Sequence, residues 1–149
     1  MKKQIETEIR RIKSLKDVSD LIRLHNIVWN NSTGIIDLLE NSTEVFILFE
    51  KSDKELAGYI FLEADKKGGF MEINDLVIDP PYRRKGFGRL LMNHVMKKYP
   101  FIKLNADSSN KKLINFYKSL GFEKDALLEN YYSIDKDALR MVWKKVKGK

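Results

Sequence analysis

A mixed α/β fold is predicted for this chain by three features of its sequence. Strand-like segments in a row read as a meander, a strand–loop–helix–strand–helix run follows, and two further strand-like segments close the sequence. At 149 residues the chain fits one domain that buries about two thirds of its unfolded surface. No internal repeat, low-complexity stretch or proline-rich linker divides it. Residues 1–149 are therefore expected to form a single domain, with the basic ends 1–4 and 145–149 left flexible.

Residues 5–13 read as a first strand. Over residues 16–29, Val18, Leu21, Ile22, Leu24, Ile27 and Val28 fall near helical spacing, which predicts a helix capped by Ser14 or Asp17. The run Asn30-Asn31-Ser32-Thr33-Gly34 breaks it, and residues 35–40 suit a short second helix. Residues 44–50 and 55–64 are strand-like, with Lys51-Ser52-Asp53-Lys54 between them as a hairpin loop. Gly68-Gly69 makes the next turn. Residues 70–78 form the third strand of the meander, and period-two geometry puts Glu72, Asn74, Leu76 and Ile78 on one face. Pro80-Pro81 stops that strand, after which residues 86–98 read as a helix with Phe87, Leu90, Leu91 and Val95 toward the core. Residues 101–106 supply another strand, residues 109–119 another helix, and Gly121 a left-handed helix end. This βαβα order implies local parallel pairing, while residues 122–132 and 138–146 close the sheet as a hairpin.

Apolar residues make up 43% and charged residues 33%, a balance that supports a packed core. The longest apolar run, Val45-Phe46-Ile47-Leu48-Phe49, is far too short to span a bilayer or serve as a secretory signal. A cytoplasmic protein without membrane attachment is expected. The absence of cysteine excludes disulfides, thiolate metal ligands and a cysteine nucleophile. His25 and His94 stand far apart in no ligand spacing, so no metal site is expected and both are read as structural. The net charge of +7 sits at the ends: residues 1–16 hold six Lys/Arg against two Glu, and residues 141–149 hold four Lys and no acid. Between them the chain is nearly neutral, which argues for solubility rather than dedicated nucleic-acid binding.

The segment Arg83-Arg84-Lys85-Gly86-Phe87-Gly88-Arg89 lies between a strand and a helix, where exposed N–H groups and the positive helix end can hold a phosphate. It lacks the Gly-Lys-Ser/Thr of a P-loop, and Leu91 stands where a dinucleotide fingerprint needs a third glycine. Taken with the preceding Leu76-Val77-Ile78-Asp79-Pro80-Pro81-Tyr82, it resembles the coenzyme A signature of the GNAT superfamily of N-acetyltransferases. A second segment, from Asn110 through Tyr117 to Gly121-Phe122, is similar to that family's Asn, Tyr and Gly-Phe motif.

The resemblance implies a GNAT-like, mostly antiparallel sheet of about seven strands with about four helices, splayed between the fourth and fifth strands. It also implies acetyl-CoA as cofactor, with coenzyme A as product. The backbone amides of residues 84–89 would cradle the pyrophosphate, Arg83, Arg84, Lys85 and Arg89 would add positive charge, and Gly86, Phe87 and Gly88 would shape the loop. Leu76 and Ile78, with Val77 between them, would meet the pantetheine arm, and Asn110 would contact the cofactor from the next helix. The Tyr117 hydroxyl would protonate the departing thiolate.

The acceptor amine must be neutral to attack. At pH 7 deprotonation costs about 1 to 1.4 kcal/mol for an α-amine and roughly 4 to 5 kcal/mol for a lysine. Glu72, four residues before Leu76, occupies a position from which members of this family supply a general base, directly or through water; Asp75 is the backup, on the opposite face by alternation. The tail Tyr131-Tyr132 followed by Asp137-Ala138-Leu139-Arg140-Met141 resembles the pattern of N-terminal protein acetyltransferases, including those acting on ribosomal proteins. That likeness implies the N-terminal α-amine of a protein or peptide as acceptor, with Trp29, Glu72, Asn105, Tyr131 and Tyr132 as acceptor-side residues. Asn105 stands where that branch commonly carries an acidic or histidine base, which an amide cannot replace. Small-amine or antibiotic acceptors therefore stay open, as does a non-catalytic coenzyme A-binding module. A monomer or homodimer is expected.

Overall fold

The computed structural model describes residues 5–29 and 34–146. The expected flexible residues 1–4 and 147–149, and the helix-breaking residues 30–33, lie outside the described residues. Lys145, within the other expected loose end, donates its N–H to the Pro100 carbonyl at 2.8 Å. The described elements are β1 Thr7–Arg11, α1 Leu15–Trp29, α2 Gly34–Asn41, β2 Glu44–Glu50, β3 Leu56–Ala64, β4 Met71–Ile78, α3 Phe87–Lys98, β5 Phe101–Asp107, α4 Lys111–Ser119, β6 Glu123–Ser133 and β7 Lys136–Lys144. Each expected element is present, its ends displaced by no more than two residues.

The strands form a seven-stranded sheet in the order β1-β2-β3-β4-β5-β7-β6. All the described pairings are antiparallel except that of β4 with β5, where Met71, Glu72 and Ile73 face Ile102, Lys103 and Leu104 in parallel. This ladder takes in three residues of each strand, although β4 runs to Ile78 and β5 to Asp107. The mostly antiparallel α/β sheet is thus the predicted fold.

The chain divides into two compact units, one made of Met1–Glu63 with Asn74–Val95, the other of Ala64–Ile73 with Met96–Lys149. In the first, Leu21 and Leu24 of α1 and Ile35 of α2 are buried in one cluster with Ile47, Phe49, Leu56, Tyr59, Phe61 and Val77. Ser14 caps α1 by accepting the Asp17 N–H at 3.1 Å, so of the two expected caps the hydroxyl fills the position. Asp17 accepts two hydrogen bonds from Arg10, at 2.7 and 3.0 Å, and one from the Lys13 N–H at 3.0 Å.

In the second unit, Ile102, Leu104 and Ala106 alternate into the core with Met141 and Ala138 of β7. Helix α4 ends as expected at Gly121, whose φ of 104° places it in the left-handed region. The Gly121 N–H bonds the Lys118 carbonyl at 3.0 Å and the Phe122 N–H bonds that of Tyr117 at 3.1 Å, the two bonds of a Schellman end. Among the described residues no helix is long and apolar enough to cross a membrane.

Candidate active site

The glycine loop belongs to the first unit and is built from the end of β4. Pro80 and Pro81 cannot donate to a sheet ladder, so the chain leaves β4 in a single 3-10 turn over Pro80–Tyr82. The Arg83 side chain folds back and donates Nε–H to the Ile78 carbonyl at 3.0 Å. Arg84 and Gly86 follow with φ of 65° and 80°. A Cβ at Gly86 would meet nothing within 4 Å, so glycine is required there by backbone conformation and not by space. Phe87 is 3% exposed and anchors the start of α3. The Gly86 carbonyl accepts the Leu90 N–H at 3.1 Å as the first bond of that helix, and helical geometry gives the Phe87 and Gly88 N–H groups no carbonyl one turn back. Those donors, with the exposed side chains of Arg84, Lys85 and Arg89, make an anion-seeking loop.

Two further contacts hold this loop. The Tyr82 hydroxyl donates to Asp53 in the β2–β3 turn at 2.6 Å, and its ring stacks on Phe87 with centroids 6.0 Å apart. Lys85 Nζ lies 5.5 Å from the Tyr82 ring centre. The hydrogen bond from Tyr82 holds the Asp53 carboxyl below its ordinary range, and burial, followed by Asp53, pushes the Tyr82 hydroxyl up. On β4, Val77 is buried in the first unit's core while Leu76 and Ile78 are half-buried.

Trp29 and Asp75 also belong to the first unit, and the second holds the other expected residues. Glu72 is half-buried and stands opposite Lys103 in the β4–β5 ladder. Tyr117 is 5% exposed, packed against Phe116 and Phe122 at centroid distances of 5.3 and 5.7 Å. Asn110 caps α4, its side-chain oxygen accepting the Leu113 N–H at 3.1 Å, so the amide Nδ2 is the group it can offer a ligand. Asn105 and the tyrosine pair come together: Asn105 Nδ2 donates to the Tyr131 hydroxyl at 3.2 Å, and the Tyr132 hydroxyl donates to the Asn105 carbonyl at 3.4 Å. The two rings stand at 88° with centroids 5.0 Å apart and remain about half exposed. The loop behind them is braced by Asn130, which donates its N–H to Asp137 at 2.8 Å and accepts the Asp135 N–H at 2.9 Å.

One constellation goes unread in the sequence. Tyr59 donates to Asp75 at 2.9 Å, Trp29 Nε1–H donates to the same carboxylate oxygen at 3.2 Å, and His25 Nδ1 lies 2.9 Å from the Tyr59 hydroxyl. His25 is only 4% exposed and borders a cavity of about 330 Å³ with Asp75 and Trp29. Burial pushes the Asp75 carboxyl above its usual range, opposed by the Tyr59 hydrogen bond, His25 and the Trp29 N–H. A signal existed: Asp75 alternates with Met71, Ile73 and Val77, all buried, so a carboxylate stands on the inward face of β4.

The model of the Acetyltransferase (GNAT) family matches residues 14–122. The chain belongs to the GNAT acetyltransferase family. The match runs from the cap of α1 through the glycine loop to the Gly121-Phe122 end of α4 and stops before the hairpin that carries the tyrosine pair. Within the GNAT family, the N-alpha-acetyltransferase of Sulfurisphaera tokodaii is 29% identical, over 94% of each chain. The peptidyl-lysine N-acetyltransferase YjaB of Escherichia coli is 35% identical over 66 residues, 41% of this chain, and the match spans only 45% of that relative's length. A solved aminoglycoside 6'-N-acetyltransferase complexed with coenzyme A shares the GNAT fold, with a TM-score of 0.77 over 95% of this chain and 99% of that one, at 16% identity.

Proposed function

We propose that residues 1–149 act as one acetyltransferase domain that moves the acetyl group of acetyl-CoA onto a primary amine, the N-terminal α-amine of a protein or peptide. The loop of residues 83–89 carries this reading: two left-handed residues, a buried Phe87 and the start of α3 present amide donors among exposed cations. Acetyl-CoA supplies the activated acyl group when bound. The backbone of residues 84–89 holds its pyrophosphate, with Arg84, Lys85 and Arg89 neutralising charge. The Ile78 carbonyl accepts from Arg83, and the main chain of Leu76 and Ile78 meets the pantetheine arm. Asn110 offers its Nδ2.

Glu72 removes the proton that an α-ammonium must lose, directly or through water, and Tyr117 returns one to the departing thiolate. A peptide acceptor is favoured by the Asn105-braced Tyr131 and Tyr132, and by a relative named N-alpha-acetyltransferase that matches at nearly full length. The test is thiol release from acetyl-CoA with peptides bearing free or blocked N-termini beside a panel of small amines. Release with free α-amines, lost on blocking them, supports the reading, and silence across the panel removes it.

A further inference from the structure

We propose that Arg140 of β7 binds a carboxylate of the acceptor, so that the preferred peptide carries Asp or Glu close to its reacting N-terminus. The inference rests on the acetyl transfer to a peptide proposed above and names the class of that acceptor. All the residues of the site lie in the second unit.

Alternation along β5 turns Ile102, Leu104 and Ala106 into the core and Lys103, Asn105 and Asp107 the other way. The register sets Val142 beside Lys103 and Arg140 beside Asn105, with their side chains on that second face. Arg140 and Asn105 each bring a polar atom that is left unused. Arg140 is half-buried, and among the described residues its buried Nε has no hydrogen-bond partner. Its guanidinium is in no ion pair among those residues, whereas Arg10, also half-buried, is held by two bonds to Asp17. Asp107, the carboxylate next along the same face of β5, accepts the Ser109 N–H and hydroxyl at 2.9 and 2.7 Å. Asn105 gives Nδ2 to Tyr131 and its carbonyl to Tyr132, yet its Oδ1 is buried without a donor.

A half-buried cation and a buried acceptor that both lack partners are costly, and a ligand that supplies the two partners relieves that cost. A peptide with an acidic side chain does so: its carboxylate matches the planar guanidinium, and a main-chain N–H matches Asn105 Oδ1. A basic side chain would be repelled by Arg140, and a neutral amide offers it only an uncharged acceptor. The tyrosine pair bonded to Asn105 is about half exposed, so a ligand can reach this face. Glu72 stands opposite Lys103 in the β4–β5 ladder and shares the face. Two strand spacings and two residues of rise separate Glu72 from Arg140, about 12 Å between Cα atoms. An extended peptide covers at most about 3.6 Å per residue, so with its amine at Glu72 the carboxylate that reaches Arg140 belongs to one of its first three residues.

Peptides with a free α-amine and Glu at the first, second or third position are compared with their Gln counterparts. At one position the Glu peptide is expected to show a KM lower by about tenfold or more. Arg140→Met keeps an apolar stem and removes the charge, and it should erase that difference with the KM for acetyl-CoA within about twofold of wild type. Arg140→Lys keeps the charge without the paired N–H groups and should retain a smaller preference. The charge that Arg140→Met removes has no partner in the free protein, so this variant should melt at or above the wild-type temperature. No Glu preference at any position, a preference that survives Arg140→Met, or a fall of more than about 5 °C in its Tm would each overturn the proposal. If no peptide turns over, the acetyl-transfer reading fails by itself, and calorimetry with the same peptides decides the fate of the carboxylate site. Binding heat from a Glu peptide with the wild type, absent with its Gln counterpart and with Arg140→Met, retains the site, while no such difference removes it.

Discussion

At the scale of single residues, backbone conformation and proton chemistry make separate demands. Gly86 sits at φ 80° in open space, so Gly86→Ala adds no clash and isolates the backbone term. It should cost about 1 kcal/mol in a thermal melt and weaken coenzyme A binding measured by calorimetry. Glu72→Gln and Tyr117→Phe keep size and remove a proton site each. Both should lower kcat while leaving the KM for acetyl-CoA nearly unchanged in steady-state kinetics, and an unaltered rate would take the residue out of the chemistry. The glycine motif was legible because a positive φ beside a helix start leaves its mark in residue type. Asp75 was placed on the right face by alternation alone, but its neighbours Tyr59 and His25 lie 16 and 50 residues earlier in the chain, beyond the reach of any local pattern.

Secondary-structure elements add the constraint of how closely strands approach and how helices begin. A Cβ at Gly58 of β3 would lie 2.6 Å from Ile78 Cδ1 and 2.7 Å from the Val77 carbonyl oxygen. The side-chain end can swing aside and the carbonyl cannot, so Gly58→Ala must push β4 away and should destabilise by about 1 to 3 kcal/mol, with a rise in the KM for acetyl-CoA. At the start of α1, Arg10 and the Lys13 N–H hold the Asp17 carboxyl well below the usual carboxylate range, against burial. A lowered folded pKa gives stability that is complete above the unfolded value and is lost as pH falls toward the folded one. Asp17→Asn should therefore be less stable than wild type by about 2 to 4 kcal/mol at neutral pH, and denaturant titrations should show the gap closing below about pH 4. Gly121 announced the end of α4 in the sequence because a Schellman turn is local; the Tyr117–Phe122 contact that completes it is made across the same turn.

For the whole molecule, charge and ligand linkage set what solution experiments read. The excess positive charge lies in the first 16 and last nine residues, whereas the loop cations Arg84, Lys85 and Arg89 belong to the nearly neutral middle. Coenzyme A at a hundredfold excess over its dissociation constant should raise stability by about 2.7 kcal/mol, seen as a higher Tm, and this gain should shrink in high salt as the exposed cations are screened. What the sequence determined alone was the order of elements, the left-handed end of α4 at Gly121 and the glycine loop, since each is written within a few neighbouring residues by periodicity or a required φ. Only the tertiary structure decided that Arg83 turns back to Ile78, that Asn105 braces the tyrosine pair, and that Asp75 is buried beside Tyr59, Trp29 and His25. Those depend on which side chains meet after distant segments pack, and a pattern of faces tells where a residue points without telling what waits there.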